Sequence, residues 1–275
     1  MNAKFQRRIQ RYGWDKAASL YEQYWQNQLY PAQSCLLEMA DLQAGERVLD
    51  TACGTGLVTF RAAQGVGKDG EVVGTDISDG MIELATHVAE IRNINNVSFR
   101  QMDAEALSFP AESFDAALSA LGLLYLPDPL KGLQEMYRVL KPGGRAVAAV
   151  WGHRSRCGWA DIFPIVDARV RSEVCPMFFH LGTGDTLPMH FELAGFARIV
   201  TERINPILHY PTADEALGAA FAGGPVALAY SRFDEQTREE AHREYLQSIE
   251  PYRNSKGYNI PGEFVITAGV KDGHH

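Results

Sequence analysis

The stretch Val48-Leu49-Asp50-Thr51-Ala52-Cys53-Gly54-Thr55-Gly56 decides how this chain is read. An apolar run ends in a carboxylate and opens at once into a glycine turn. This is the pattern of a strand that delivers an acid and bare backbone to one end of a sheet, where nucleotide-like ligands are held. A dinucleotide fingerprint needs G-x-G-x-x-G, but counting from Gly54 the third glycine position is Thr59. A P-loop needs a lysine after its first glycine, and Gly54-Thr55-Gly56-Leu57-Val58 has none. A diphosphate is therefore a poor fit. An acid beside exposed backbone suits a ligand that carries an ammonium group.

Working outward, helical periodicity covers Phe5 to Met39, with Ala17, Leu20, Tyr21 and Tyr24 on one face and a second helix expected to start at Pro31. Strands are expected at Arg47–Thr51, Glu71–Thr75 ending at Asp76, Val97–Gln101, Phe114–Ala120 and Arg145–Trp151. Helices alternate with them at about Gly56–Gln64, Met81–Ile91 (with Ser78 as a cap) and Leu130–Leu140, and Lys141-Pro142-Gly143-Gly144 forms the turn into the fifth strand. This alternation means βαβ units and a parallel sheet. Further on, helices are expected at Trp159–Ser172, Thr186–Ala194, Thr212–Phe221 and Asp234–Ile249. One strand is expected at Ala197–Leu208 and a last one at Glu263–Val270. Three acids, Asp50, Asp76 and Asp103, fall where the first three strands end, and Ser119 and Ala120 end the fourth. Carboxyl ends of parallel strands converge on a ligand crevice, and an acid 20 residues past Gly56 suits a ribose.

Composition narrows the classes. The 275 residues carry 26 Lys and Arg against 34 Asp and Glu, a net charge of −8 that disfavours sequence-independent nucleic-acid binding. Lys4, Arg7, Arg8 and Arg11 cluster near the start and read as a solvated helix face. No apolar run reaches the length of a membrane span, and the first residues lack an apolar signal core, so a cytoplasmic protein is expected. Cys35, Cys53, Cys157 and Cys175 are scattered, consistent with reduced, buried thiols and no metal site.

Four motifs in order resemble one family. Asp50-Thr-Ala-Cys-Gly-Thr-Gly56, Gly74-Thr-Asp76-Ile-Ser78, Met102-Asp103-Ala104-Glu105 and Arg138-Val-Leu-Lys-Pro-Gly-Gly144 are similar to those of class I S-adenosylmethionine-dependent methyltransferases, in the ubiquinone/menaquinone-biosynthesis-like branch. Phe114-Asp115 and Gly122-Leu-Leu-Tyr125-Leu-Pro-Asp128 fit that branch too, and the resemblance is close over about residues 14–151. It implies an α/β fold: a Rossmann-like, doubly wound, mainly parallel seven-stranded sheet with the last strand antiparallel, N-terminal helices and a helical insertion before the last strand. One domain is expected over residues 1–275, with a helical cap at 1–44, a cofactor-binding core at 45–152 and a C-terminal half whose acceptor lid covers about 206–259.

The resemblance also implies roles around S-adenosyl-L-methionine. Asp50 would neutralise the methionyl ammonium, and Ala52, Gly54, Thr55 and Gly56 would bring backbone to the methionyl part. Asp76 would hold the ribose, with Ile77 and Met81 beside the adenine and Met102, Asp103 and Ala104 lining it. Ser119 and Ala120 would floor the pocket, and Tyr21 would close over the cofactor. Ala52 stands where many members have glycine, which is tolerable if its φ is negative. Candidate bases are Tyr21, Tyr125, His153 and His180.

An apolar, small-molecule acceptor is expected. Its walls would come from Ala219–Ala229 and from Trp14, Trp25, Tyr30, Trp151, Trp159, Met177, Phe178 and Phe179. The expected partners are that acceptor alone, with no nucleic acid, in a monomer or homodimer. An RNA methyltransferase and a non-catalytic cofactor-binding protein are the alternatives.

Overall fold

The computed structural model describes residues 3–170, 177–224 and 226–273. The chain begins with α1 (Ala3–Ala40) and enters the sheet through β1 (Arg47–Thr51), α2 (Leu57–Val66), β2 (Glu71–Asp76), α3 (Asp79–Ile91) and β3 (Val97–Gln101). It then returns through β4 (Phe114–Ala120), α4 (Pro129–Val139) and β5 (Leu140–Trp151). Beyond these lie α5 (Ile162–Asp167), α6 (Thr186–Leu193), β6 (Ala197–Ile204), β7 (Ile207–Tyr210), α7 (Ala213–Leu217), α8 (Ala227–Tyr230), α9 (Glu235–Ile249), β8 (Tyr258–Pro261) and β9 (Phe264–Val270).

Seven strands form the main sheet in the order β3-β2-β1-β4-β5-β9-β6. β9 runs antiparallel to both of its neighbours, while β1 to β5 pair in parallel. The expected seven-stranded Rossmann-like sheet with an antiparallel last strand is therefore present. The winding moves one way from β1 to β3 and the other way from β4 to β5. Because such crossovers are right-handed, α2 and α3 cover one face and α4 the other. The strand order thus reverses between β1 and β4, and ligands bind at such a reversal, beyond the carboxyl ends of the strands. The strands that meet there are almost wholly apolar and buried, with Val48, Leu49, Val72, Val73, Ala116, Ala117, Leu118, Val147 and Ala148 all at 0% exposure. That is expected of strands covered on both faces.

Several boundaries differ from the sequence expectation. The N-terminal segment is one helix of 38 residues with Pro31 inside it, rather than two helices. An interior proline removes a backbone donor at a cost of about 3 kcal/mol or more. Here the buried face runs straight through it: Trp25, Leu29, Ala32 and Leu36 are all covered, and this burial holds the axis continuous. β5 starts at Leu140 and takes in Lys141-Pro-Gly-Gly, so its register against β4 jumps from Phe114–Leu140 to Ala116–Arg145.

The strand expected at Ala197–Leu208 breaks at Asn205-Pro206 into β6 and β7, and β7 leaves the main sheet to pair with β8. A proline has no N–H to continue a ladder. β8 and the short α8 were not anticipated. The helix expected over Trp159–Ser172 is confined to α5, with residues 171 and 172 outside the described residues. Cys175 and Pro225 also lie outside them. Among the described residues, no helix is long and apolar enough to cross a membrane, and no group of three His, Cys, Asp or Glu side chains is placed to hold a metal.

Candidate functional site

At the reversal between β1 and β4 lies a cavity of about 970 Å³, mouth included. One half sits over the ends of β1 and β2, bordered by Ala52, Gly54, Asp76, Ile77 and Met81, with Met102, Asp103 and Ala104 beyond β3. The other half is aromatic, bordered by Trp14, Tyr125, Trp151, Trp159 and Phe178, together with Trp25 from α1. Tyr21, Ala120, Leu121 and Gly122 also border the cavity.

The turn after β1 is built by alternation. Ala52, Gly54 and Gly56 have φ of 52°, 56° and 90°, all in the left-handed region. The expectation of a negative φ at Ala52 is thus overturned: the turn needs this backbone conformation at every second residue, and alanine adopts it under strain. Gly56 serves packing instead of ligand approach. A Cβ there would meet the Phe60 ring at 2.8 Å and Phe99 at 3.2 Å. At the end of β4, Leu121 has φ 61°. Two strained non-glycine residues therefore flank the reversal point, and backbone strain concentrates at ligand sites.

The acids are held in different ways. Asp76 accepts hydrogen bonds from the Gly54 and Ser78 backbone amides, each at 2.9 Å, which aims the carboxylate and leaves lone pairs toward the cavity. Burial raises its pKa against the pull of those donors. Asp50 does not border the cavity. It lies beneath the turn at 1% exposure, with Oδ2 accepting from Thr59 Oγ1 at 2.6 Å and Oδ1 buried with no partner. Burial pushes it up to about 7, and the nearby Asp76 charge adds to this, although the Thr59 hydroxyl opposes it. Two buried acids side by side, one with an orphaned oxygen, call for a cation.

Asp103 pairs with Arg7 of α1 at 2.7 Å and accepts from the Glu105 amide at 2.9 Å. Glu105, at 1% exposure, takes a second bond from Arg7 and also accepts from the Asp128 amide at 2.8 Å. Arg11 pairs with Asp79, and Asp15 accepts from Ser78 Oγ at 2.5 Å and from the Gly80 amide at 3.2 Å. The N-terminal basic cluster is therefore only partly a solvated face. Arg7 and Arg11 latch α1 across the ends of β2 and β3.

Tyr21 is half-buried and borders the cavity. Burial, with the Asp76 charge as a second cause, raises its pKa above the ordinary tyrosine value, so it favours donating a hydrogen bond over acting as a base. Trp14 stands edge-on to Tyr21 at 5.7 Å and to Tyr125 at 5.1 Å, joining the two halves of the cavity.

Of the expected cofactor residues, Tyr21, Ala52, Gly54, Asp76, Ile77, Met81, Met102, Asp103, Ala104 and Ala120 come together around the cavity. Asp50, Thr55, Gly56 and Ser119 lie behind it. Thr55 Oγ1 and Ser119 Oγ are buried with no partner. Tyr125 borders the cavity, whereas His153 does not. His153 is exposed, accepts from the Ser155 amide and caps a short turn, because the chain has left the sheet edge by that point. His180 is also exposed and does not border the cavity.

Tyr30 and Met177, expected as walls, are exposed at 57% and 56%. Phe179 packs on Trp159 behind the wall, at 5.7 Å. Among the described residues of 206–259, only Gly224 reaches the cavity, and α1 supplies most of the cover. Sequence reasoning missed Arg7, Gln10, Leu29, Leu121 and Gly122 as bordering residues. It also missed Thr59, seen only as an absent glycine, although a hydroxyl in the first turn of α2 faces back on the strand that carries Asp50.

These features fit S-adenosylmethionine. The orphaned Asp50 Oδ1 and the paired acid charges suit an ammonium, the oriented Asp76 suits vicinal hydroxyls, and the apolar Ile77, Met81 and Met102 suit a base.

Comparison with known proteins agrees. Residues 42–157 match the family described as a methyltransferase domain. Aklanonic acid methyltransferase DauC of Streptomyces sp. (strain C5) is 39% identical over 131 residues, covering 48% of this chain and 60% of the relative. Demethylmenaquinone methyltransferase of Lactococcus lactis is 41% identical over 128 residues, covering 46% of this chain and 50% of the relative. The chain thus spans only about half to three-fifths of these relatives. The crystal structure of the YcgJ protein from Bacillus subtilis superposes with a TM-score of 0.64 at 19% identity, covering 89% of this chain and all of that one, which establishes the shared fold. Residues 42–157 are therefore similar to a methyltransferase domain, carried on the fold that the solved methyltransferase-like structures share.

Proposed function

We propose that the chain transfers a methyl group from S-adenosylmethionine to a small, largely apolar, aromatic acceptor. The two-part cavity carries this reading. An acid-lined half at the strand ends and an aromatic half meet at Tyr21, Ala120 and Tyr125, all three of which border the same space. The relatives are named for methylating aklanonic acid and demethylmenaquinone, and both names point to a small acceptor.

When bound, S-adenosylmethionine supplies a methyl group already activated on a sulfonium. The chain's own residues do the rest. Asp76 accepts from the ribose hydroxyls, fixed by the two backbone amides that hold it. Asp50 and Asp76 provide negative charge for the ammonium. Tyr21, Trp14 and Tyr125 offer aromatic faces and edges around the cationic centre. The water-poor aromatic half orients the acceptor, so catalysis rests largely on positioning.

Isothermal calorimetry with S-adenosylhomocysteine, followed by a labelled-methyl transfer screen over phenols, quinols, amines, thiols and bulk RNA, tests the proposal. Micromolar binding with label on an aromatic acceptor is expected. Absence of micromolar binding would overturn the methyl-donor reading, and label appearing only on RNA would overturn the acceptor reading.

A further inference from the structure

Between α7 and α8 the chain lies on α1 through Gly218, Gly223 and Gly224, and these glycines differ in what keeps them bare. A π-turn over Gly218–Ala222 closes with the Gly223 amide donating to the Gly218 carbonyl at 2.9 Å. Single π-turns of this kind gather at functional sites. A Cβ at Gly218 would be driven into the Tyr24 ring, and one at Gly223 would meet that ring at 3.1 Å. Close packing on α1 therefore excludes a side chain at both.

Gly224 is different. A Cβ there would meet the Ala219 carbonyl oxygen at 3.3 Å, a slightly tight contact, and the next nearest atoms belong to the Trp25 indole, at 3.6 and 3.9 Å. Its backbone stays outside the left-handed region that favours glycine. Neither packing nor conformation demands glycine at this position. Among the described residues, the Cβ position is also loosely surrounded, with its third-nearest atom already 3.9 Å away. A packed interior leaves no such gap. Gly224 is buried, so the gap is not bulk solvent, and it borders the cavity together with Trp25. The missing side chain is therefore cavity space beside Trp25.

We infer that Gly224 is a specificity-determining residue, whose bare backbone keeps the aromatic half deep enough for an acceptor of two or more fused rings. The inference rests on the reading that this half holds the acceptor. A methyl group at Gly224 takes space from an acceptor laid against Trp25, and an isopropyl group takes more. Tyr21, Ala120 and Tyr125, where the two halves of the cavity meet, are untouched by either change. A single ring held there keeps its place, while a longer ring system loses the space it needs. Such discrimination is steep, because one methylene in an apolar pocket is worth about 10–200-fold.

The test uses phenol, 2-naphthol and 2-anthrol as probes of rising length, with S-adenosylhomocysteine at saturation and binding read by quenching of tryptophan fluorescence. Wild type should bind more tightly with each added ring. Gly224→Ala should weaken 2-anthrol about 3–10-fold and Gly224→Val more than about tenfold, while phenol and S-adenosylhomocysteine change by less than about twofold. Thermal melting separates the glycines: Gly218→Ala should lower the melting temperature, because Tyr24 must move, whereas Gly224→Ala should leave it nearly unchanged.

Equal losses for all three phenols, or no loss of 2-anthrol affinity in either variant, would overturn the inference while leaving the aromatic-acceptor reading intact. Should Gly224→Val fail to bind S-adenosylhomocysteine, the ring series in Gly224→Ala decides. If wild type binds S-adenosylhomocysteine but none of the phenols, the aromatic-acceptor reading falls, and the role of Gly224 with it.

Discussion

Asp50→Asn separates the cost of a buried charge from its use. Asp50 is 1% exposed, one of its oxygens is orphaned, and burial raises its pKa from the ordinary 3.8 to about 7. Between those two values the native chain holds a proton that the unfolded chain has released. Stability therefore falls as pH rises through this window. At about 1.4 kcal/mol per tenfold change in proton affinity, the gap amounts to at most about 4 kcal/mol. An asparagine amide oxygen still accepts from Thr59 and carries no charge to bury. Relative to wild type, Asp50→Asn should gain less than about 1 kcal/mol at pH 4, about 3 at pH 6 and about 4 at pH 8. The last figure is a rise in melting temperature of roughly 10 °C for a chain of this size.

The ligand should reverse the ranking. On the proposed function, an ammonium held over the turn that covers Asp50 favours the carboxylate through its charge, so wild-type affinity for S-adenosylhomocysteine should climb as pH rises through about 7. The variant's affinity should be flat with pH and at least about tenfold weaker at pH 8. Thermal melts from pH 5 to 8, with and without S-adenosylhomocysteine, read both effects. Melting curves that run parallel for the two proteins across this range would refute the buried-charge argument.

Three other substitutions probe the remaining parts. Asp76→Ala should weaken S-adenosylhomocysteine binding by about 1–3 kcal/mol, measured by calorimetry, because charge-assisted hydrogen bonds and the anchor of the Gly54 amide are lost together. Arg7→Ala leaves the nearly buried Glu105 without its ion pair. It should cost about 1–2 kcal/mol in a denaturant melt, tempered by the partial exposure of Arg7, and should expose the first turns of α1 to limited proteolysis; an unchanged cleavage rate would count against the latch. Gly122→Ala would put a Cβ 2.5 Å from that of Ala52, so it should destabilise by about 1–3 kcal/mol. Adding Ala52→Gly should recover most of that loss by removing both the clash and the left-handed strain; additive losses in the double variant would disprove the coupling.

Much of the sheet could be read from acids that end apolar runs. Asp50, Asp76 and Asp103 each close a strand expectation that matches the structure within a residue or two, because parallel strands buried on both faces are short, apolar and abruptly ended. The cavity's acid-lined half follows from the same residues. Its aromatic half was legible only as composition. Trp25, Trp151 and Trp159 line the cavity, while Tyr30 and Met177, apolar in the same way, face outward. Nothing local distinguishes a wall from a surface when the wall is assembled from α1, β5 and the segment after it. The φ of Ala52 escaped for a related reason. Alanine gives no local signal of left-handed backbone, and the demand comes from a turn whose other left-handed positions are Gly54 and Gly56. Pro31 misled because the rule it signals is local, while the burial that overrides it along Trp25, Leu29, Ala32 and Leu36 is not.

The single long helix at the start of the chain has a thermodynamic consequence. Arg7 and Gln10 border the cavity from the acid side, and Trp25 and Leu29 border it from the aromatic side, all on α1. On the proposed function, donor and acceptor would share one wall, roughly 30 Å of one helix from Arg7 to Leu29 at about 1.5 Å per residue. A ligand that settles this helix from either side has already met part of the ordering cost of the other. Linkage then requires the two affinities to enhance each other by one common factor. Affinity for an aromatic probe measured with and without S-adenosylhomocysteine yields that factor. The reverse titration must return the same value.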